Sequence, residues 1–242
     1  MIASDSNLKV HEQHLFFLRT HRGDVEKLGP HTLVTSNKSQ YTYVVLGDGG
    51  SEDVLDRFAT VHLVPWSGDW VGRLCARGYV EKEGINYMVL DGLYSEWANK
   101  SEVSVKLAGS AEDYEQFTEI QGRAFLPSAD AYQQWQPWLL QQNLQVMGQP
   151  EHKFYIGSVN GVPVGVALTI ANEDTLGLYA VATLSQFRGQ GIATFIMKRA
   201  LEDSDVGSKK ITLQTAAGSS AERLYKKLGF SSAFLAHVYS RE

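Results

Sequence analysis

Between Leu178 and Thr194 the chain passes from an apolar, β-branched run through Arg188-Gly189-Gln190-Gly191 into a segment of helical periodicity. A strand that ends in a glycine-rich turn and feeds a helix leaves a row of main-chain N–H groups without acceptors at the helix start. Such a row, at the positive end of the helix dipole, is a cradle for phosphate. Gly189 and Gly191 let a phosphate group approach the amides of residues 189–194, and Arg188 adds a charged donor. The candidate binding residues are therefore Arg188, Gly189, Gln190, Gly191, Ile192, Ala193 and Thr194. Each charge–dipole contact is worth roughly 0.3–1 kcal/mol, up to about 2 when partly buried. Gln186-x-x-Gly189-x-Gly191 fits the same pattern two residues earlier, but the Arg188 register starts the helix at the second glycine, as the following periodicity requires.

The elements that must position this turn are readable from residue 102 onward. Glu102–Leu107 reads as a strand, and Ser110 with Glu112-Asp113 as the start of a helix over Ala111–Ala124. A second helix covers Asp130–Leu144, with Trp135, Trp138 and Leu139 on one face. Strands Phe154–Val159 and Val162–Ala171 are joined at Asn160-Gly161, a hairpin signal. Thr175–Thr183 is the strand that enters the turn, and Gly191–Glu202 the amphipathic helix that leaves it. Strand Ile211–Thr215, helix Ser220–Leu228 stopped at Gly229, and strand Phe234–Tyr239 follow. Ser219 and Ser220 are cap residues for the last helix.

This element order, with Arg188-x-x-Gly191-x-Ala193 in place and Tyr225-Lys226-Lys227-Leu228-Gly229-Phe230 near the end, resembles the GCN5-related N-acetyltransferase (GNAT) family over residues 102–242. The resemblance implies an α/β fold, a mixed central sheet flanked by helices, that binds acetyl-CoA as cosubstrate and needs no metal. It implies that the backbone of Val181, Ala182 and Thr183 bonds the pantetheine arm like an added strand. One amide there would polarise the thioester carbonyl. Ser220 would also contact the cofactor, and Tyr225 would be the general acid. A thiolate of pKa near 8.5 can take a proton from a phenol of pKa near 10 at a cost of about 2 kcal/mol. Trp135, Trp138 and Phe125 could wall the acceptor pocket, although core packing explains them equally well.

The sequence departs from the family at two points. Gly218 stands where relatives often carry Asn, and Thr175–Thr183 holds no carboxylate to serve as base. Glu173, Asp174 and Glu119 are near in sequence, but none is placed. Without a strong base, a weakly basic amine or deprotonation through a water chain is favoured: an amine of pKa near 10.4 pays roughly 4.6 kcal/mol to be neutral at pH 7, one near 7.8 only about 1.

The front of the chain, residues 1–101, reads as a degenerate copy of the same fold. Arg73-Leu74-Cys75-Ala76-Arg77-Gly78-Tyr79 echoes Leu224–Phe230, with Leu74 where Tyr225 falls, and no Arg-x-x-Gly-x-Gly turn is present. This half should neither bind acyl-CoA nor catalyse. Tyr41–Leu46 and Asn86–Leu90 read as strands and Ser51–Thr60 as a helix. The usual seventh strand of the second half is not visible, and Tyr87–Leu90 is the segment that could complete that sheet. His11-x-x-His14 has metal-ligand spacing but no third ligand, and reads as a solvated pair. Trp66 and Trp70 read as packing or interface residues.

With 242 residues, 43% hydrophobic, the chain can bury a substantial core. A formal charge of −5 and no Lys/Arg run argue against nucleic acid as partner. One cysteine, Cys75, excludes an intrachain disulfide, and no apolar run reaches the ~20 residues needed to span a membrane. The polar start carries no secretory signal. The expectation is a cytoplasmic monomer or homodimer that acetylates a small-molecule amine. The alternatives are transfer to a protein N-terminus or lysine, and a non-catalytic acyl-CoA-binding regulatory module.

Overall fold

The computed structural model describes residues 4–38, 41–91, 94–97, 102–204 and 206–241. The junction expected at residue 101 lies outside them. In chain order the elements are helix α1 (Asp5–His21), strands β1 (Asp24–Leu28), β2 (His31–Thr35), β3 (Tyr43–Val45) and β4 (Thr60–Leu63), helix α2 (Val71–Ala76) and strand β5 (Val80–Leu90). Then come β6 (Val103–Leu107), α3 (Ala111–Phe125), α4 (Ala129–Gln145), β7 (His152–Val159), β8 (Val162–Ala171), β9 (Thr175–Thr183) and α5 (Ile192–Glu202). The chain closes with β10 (Lys210–Ala216), α6 (Ser220–Lys227) and β11 (Phe230–Ser240). They form a mixed α/β fold that packs as two compact units, residues 1–91 with 212–242, and residues 92–211.

In the first unit the strand order is β1-β2-β3-β4-β11-β5-β10, with β3 and β4 parallel and the other pairs antiparallel. The echo between the two halves is structural: α2 and α6 each end in a left-handed glycine, Gly78 (φ 79) and Gly229 (φ 91), then an aromatic residue and a long strand. These two strands, β5 and β11, pair with each other and are each inserted beside a strand of the other half, β5 against β10 and β11 against β4. Tyr87–Leu90 thus lies beside the C-terminal strands, as expected of a completing strand, with Tyr87 opposite Gln214 and Val89 opposite Thr212.

Three expectations for this unit are corrected. Ser51–Thr60 is only a 3₁₀ turn at Glu52–Asp56, because Phe58 turns into the core and Thr60 already belongs to β4. His11 is not solvated: α1 buries Val10, His11, Leu15 and Leu18, and the His11 ring packs on Trp66, Tyr87 and Phe234. The Nδ1 atom of His14 is likewise buried. The last strand begins at Phe230, four residues before the expected start, because a register shift between Ser232 and Phe234 breaks the alternation there.

In the second unit the order is β9-β8-β7-β6, all antiparallel. Ser110 and Asp113 close a reciprocal capping box at the start of α3. The Asp113 carboxyl is held down to about 2, first by the Gly109 N–H and then by Lys106. Asn160 (φ 50) and Gly161 (φ 80) make the two-residue turn between β7 and β8. On one face of this sheet Ile192, Ile196 and Ala200 of α5 pack on Val103, Tyr155, Val164 and Ala167. The approach is close because Gly157 and Gly165 lie beneath: a Cβ on either would stand 2.4 or 2.7 Å from Ile196 Cδ1. Lys198, buried on the same helix, donates to the carbonyls of Trp97 (2.8 Å) and Ser95 (3.2 Å). The start of α5, and with it the glycine turn, is therefore fixed by packing.

Candidate acyl-carrier site

After β9 the chain makes a single 3₁₀ turn at Ser185–Phe187, extends at Arg188, and becomes left-handed at Gly189 (φ 77) and Gly191 (φ 76). Gly191 is the N-cap of α5 and has no side chain to satisfy the first turn. The helix ladder opens with the Phe195 N–H on the Gly191 carbonyl at 3.1 Å. Among the described residues, none of the main-chain N–H groups from Gly189 to Thr194 has a partner. Residues 189–191 are exposed, and a Cβ at Gly189 would meet nothing within 4 Å. The turn thus presents exposed, unpartnered donors at a helix start, the kind of position that accepts a phosphate group.

Arg188 has a different task from the one its charge suggests. Its Nε donates to the Thr183 carbonyl (3.0 Å) and its Nη2 to the Ala124 carbonyl (3.0 Å) in the last turn of α3. It braces the turn against the end of β9 and the C-terminus of α3. Of the strand residues, Val181 packs its side chain against the core beneath α5, and Ala182 is buried opposite Val166. Thr183 is buried opposite Gly165, and its Oγ1 has no hydrogen-bond partner. Ile192 is core, whereas Ala193 and Thr194 are half-buried in the first helical turn.

One feature of this strand escapes sequence reasoning. Ala180 sits at φ 49, in the left-handed region, where the β8–β9 register slips between Leu168↔Tyr179 and Val166↔Ala182. It is a β-bulge with a non-glycine residue, a conformation costing on the order of 1–2 kcal/mol. Such strain persists at functional positions, and here it falls within three residues of Thr183. Alanine carries no signal of it.

Residues 114–230 match the acetyltransferase (GNAT) family. This stretch is a GNAT acetyltransferase domain. Similar solved structures include a GCN5-related N-acetyltransferase from Kribbella flavida, 18% identical, covering 99% of this chain and 96% of that one with a TM-score of 0.70. A functionally unknown conserved protein from Staphylococcus epidermidis is 14% identical, covering 91% and 94%, with a TM-score of 0.72. A tandem GNAT protein from the clavulanic acid biosynthesis pathway is 12% identical, covering 100% and 97%, with a TM-score of 0.59. Likeness at these identities shows the fold, and it extends over both halves. Comparison with curated proteins gives no match.

The remaining expected GNAT residues, Ser220 and Tyr225, lie on α6 in the first unit. The cap of that helix is Ser219, whose Oγ accepts from the Glu222 N–H at 3.0 Å, while Ser220 is its exposed first residue. Tyr225 is 7% exposed, packs edge-on against Phe230 at 5.8 Å, and is pushed up to about 12 by burial. It keeps its proton at any working pH. Of the expected pocket walls, Phe125 is 58% exposed, Trp138 is buried, and Trp135 stands edge-on to it at 5.6 Å. Glu112, Glu115 and Glu119 of α3 face Tyr132, Gln136 and Leu140 of α4 across an open groove of about 420 Å³, a feature the sequence reading did not assemble. Among the described residues, no cluster of three His, Cys, Asp or Glu side chains could hold a metal ion, and no helix is long and apolar enough to cross a membrane.

Proposed function

We propose that this chain is an N-acetyltransferase that moves an acetyl group from acetyl-CoA to a primary amine of a small molecule by direct attack. The observation that carries the reading is the run of unpartnered amides from Gly189 to Thr194 at the start of α5. It supplies donors suited to the diphosphate of coenzyme A, within a domain of a family of acetyltransferases. The backbone of residues 181–183 takes the pantetheine arm. The nitrogen of the neutral amine bonds to the thioester carbon, the C–S bond breaks, the departing thiolate takes a proton from Tyr225, and the proton that the nitrogen sheds passes to water, from which Tyr225 is reprotonated.

That last step has a cost that can be bounded. A phenol at about 12 against a free thiol near 8.5 leaves a gap of 3.5 in pKa, or about 5 kcal/mol. A thiolate released where water is excluded is raised by the same desolvation, so the effective gap is smaller. A positioned acid contributes typically 10²–10⁴-fold. Tyr225→Phe should therefore lower turnover at least ~10-fold while coenzyme A affinity holds; turnover equal to the parent would remove Tyr225 from the reaction.

A second reading takes the amine from a protein N-terminus or a lysine; the open groove lined by Glu112, Glu115 and Glu119 on α3 is a surface on which a cationic peptide could rest. A panel of small amines and of peptides, assayed for free coenzyme A, decides between them. Thiol release with small amines supports the first reading, and release with peptides alone supports the second. Tight acetyl-CoA binding with silence across both panels would overturn catalysis in favour of a regulatory acyl-CoA-binding module.

A further inference from the structure

Asn86 of β5 is 4% exposed and bonded at both ends of its amide. Its Nδ2 donates to Glu222 Oε1 at 3.0 Å, and its Oδ1 accepts from the Ser232 hydroxyl at 2.6 Å. Glu222, on the first turn of α6, is itself 92% buried at 8% exposure. Its carboxylate also takes the Lys226 ammonium at 2.6 Å and the Gly218 N–H, while its own N–H caps onto Ser219. Lys226, then the Gly218 N–H, and more weakly Asn86, hold this carboxyl below its usual range. A carboxylate removed from water is tolerable only when its oxygens are met by donors. Glu222 meets its donors from three directions: the turn before α6, the next turn of α6, and a strand that comes from the first half of the chain.

We infer that Asn86 is a positioning residue for acetyl transfer, acting through Glu222 to fix where α6 presents Tyr225; the inference rests on the reading of Tyr225 as the acid. α6 has only eight residues, too few to be stable by itself, so its placement depends on tertiary anchors. Tyr225 follows Glu222 by three positions and lies on the same side of the helix. A group that must deliver a proton within hydrogen-bond reach is sensitive to small displacement, and about 1 Å can cost roughly 10²-fold. Asparagine suits this place because one end must donate to a carboxylate and the other must accept from a hydroxyl. An aspartate would set two carboxylates side by side. A front half without a glycine turn of its own thus has a task in the reaction, delivered by β5.

The test uses the full chain with Asn86→Ala and Asn86→Asp, each alone and combined with Tyr225→Phe. Hydrogen exchange is read over residues 218–227, and kcat and KM for acetyl-CoA are read with the amine that gives fastest thiol release. Asn86→Ala should speed exchange over 218–227 by about tenfold, the equivalent of one lost hydrogen bond, and leave α5 unchanged. It should lower kcat about tenfold with KM for acetyl-CoA held within about twofold, and it should cost less than about twofold once Tyr225 is already Phe. Asn86→Asp should lose more activity as pH rises, because the paired carboxylates repel when both are ionised. Should Asn86→Ala fold poorly, Ser232→Ala removes the other anchor of the amide and should act in the same direction. Unchanged exchange over 218–227 overturns the inference, as does a kcat loss that persists in full beside Tyr225→Phe. If Tyr225→Phe alone turns over like the parent while Asn86→Ala still loosens α6, the acid reading has failed and this inference fails with it.

Discussion

Lowering the pH from 7.5 to 5.5 should remove about 4 kcal/mol of folding stability from the first unit. Three histidines cluster there in neutral form: His11 at about 3, His14 at about 4 and His62 at about 3, each lowered chiefly by burial. Like charges deepen the shift, His14 and Lys27 acting on His11, and His14 and His11 on His62. Gln214 bonds His14 and opposes the shift, and the Tyr43 hydroxyl lies 3.5 Å from its Nε2. Their folded pKa values are depressed, so the unfolded chain, with histidines near 6.5, binds protons first. Stability is fully present above about 6.5 and is lost as pH falls toward the folded values. At pH 5.5 each histidine costs between about 1 and 2 kcal/mol, three cost about 4, and at pH 7.5 the sum is close to zero.

The carboxylates with depressed values, Glu81, Asp113 and Glu222, titrate below this window, so the histidines dominate it. For a chain of this length, about 4 kcal/mol corresponds to a fall in Tm of roughly 8–16 °C. Urea unfolding followed by tryptophan fluorescence at the two pH values measures it. His62→Phe is the internal control: the His62 ring stacks on Tyr43 at 3.8 Å and 8°, so phenylalanine keeps the stack and cannot titrate. It should recover about a third of the acid loss. A parent loss below about 1 kcal/mol, or an identical pH slope in His62→Phe, would refute the reasoning.

Other outcomes are equally definite. Gly191→Ala should cost about 1–2 kcal/mol, because its φ of 76 admits a Cβ only under strain, and should weaken coenzyme A binding measured by calorimetry; unchanged affinity would count against the amide cradle. Ala180→Gly should be neutral or stabilise by up to about 1 kcal/mol in thermal unfolding, since relief at φ 49 offsets the added chain entropy, whereas Ala167→Gly in the neighbouring strand should destabilise. A loss above about 1 kcal/mol for Ala180→Gly would show that the bulge is not strained. A fragment beginning at residue 102 should be insoluble or unfolded, because β10 and β11 lose the strand that lies between them. A folded, active fragment would contradict that account.

The elements of the second half were legible where local rules are strong. Ser110 and Ser219 both cap helices, Asn160-Gly161 turns the hairpin, and both turn glycines adopt positive φ. The front half was less legible for a particular reason. α1 turns His11, Gln13 and His21 inward with its apolar residues, so its buried face does not read as hydrophobic. The start of β5 is hidden by Glu81, Lys82 and Glu83, which are exposed along an otherwise regular strand. Arg188 was read by its charge as an anion ligand, whereas its donors are directed at two carbonyls that only folding brings near.

What the sequence determined by itself is the glycine turn. Left-handed backbone, a helix start and unpaired amides are properties of a few consecutive residues, set by sterics and by hydrogen-bond rings that close within four positions. What only the tertiary structure decided is which strands became neighbours and what they carried. The interleaving of β5 with β10 and β11 and the bulge at Ala180 depend on main-chain groups that are alike in every residue, and the side-chain bond between Asn86 and Glu222, 136 positions apart, forms only once that pairing has brought them together. Such pairings are selected by the burial of whole faces, and no short stretch of sequence encodes them.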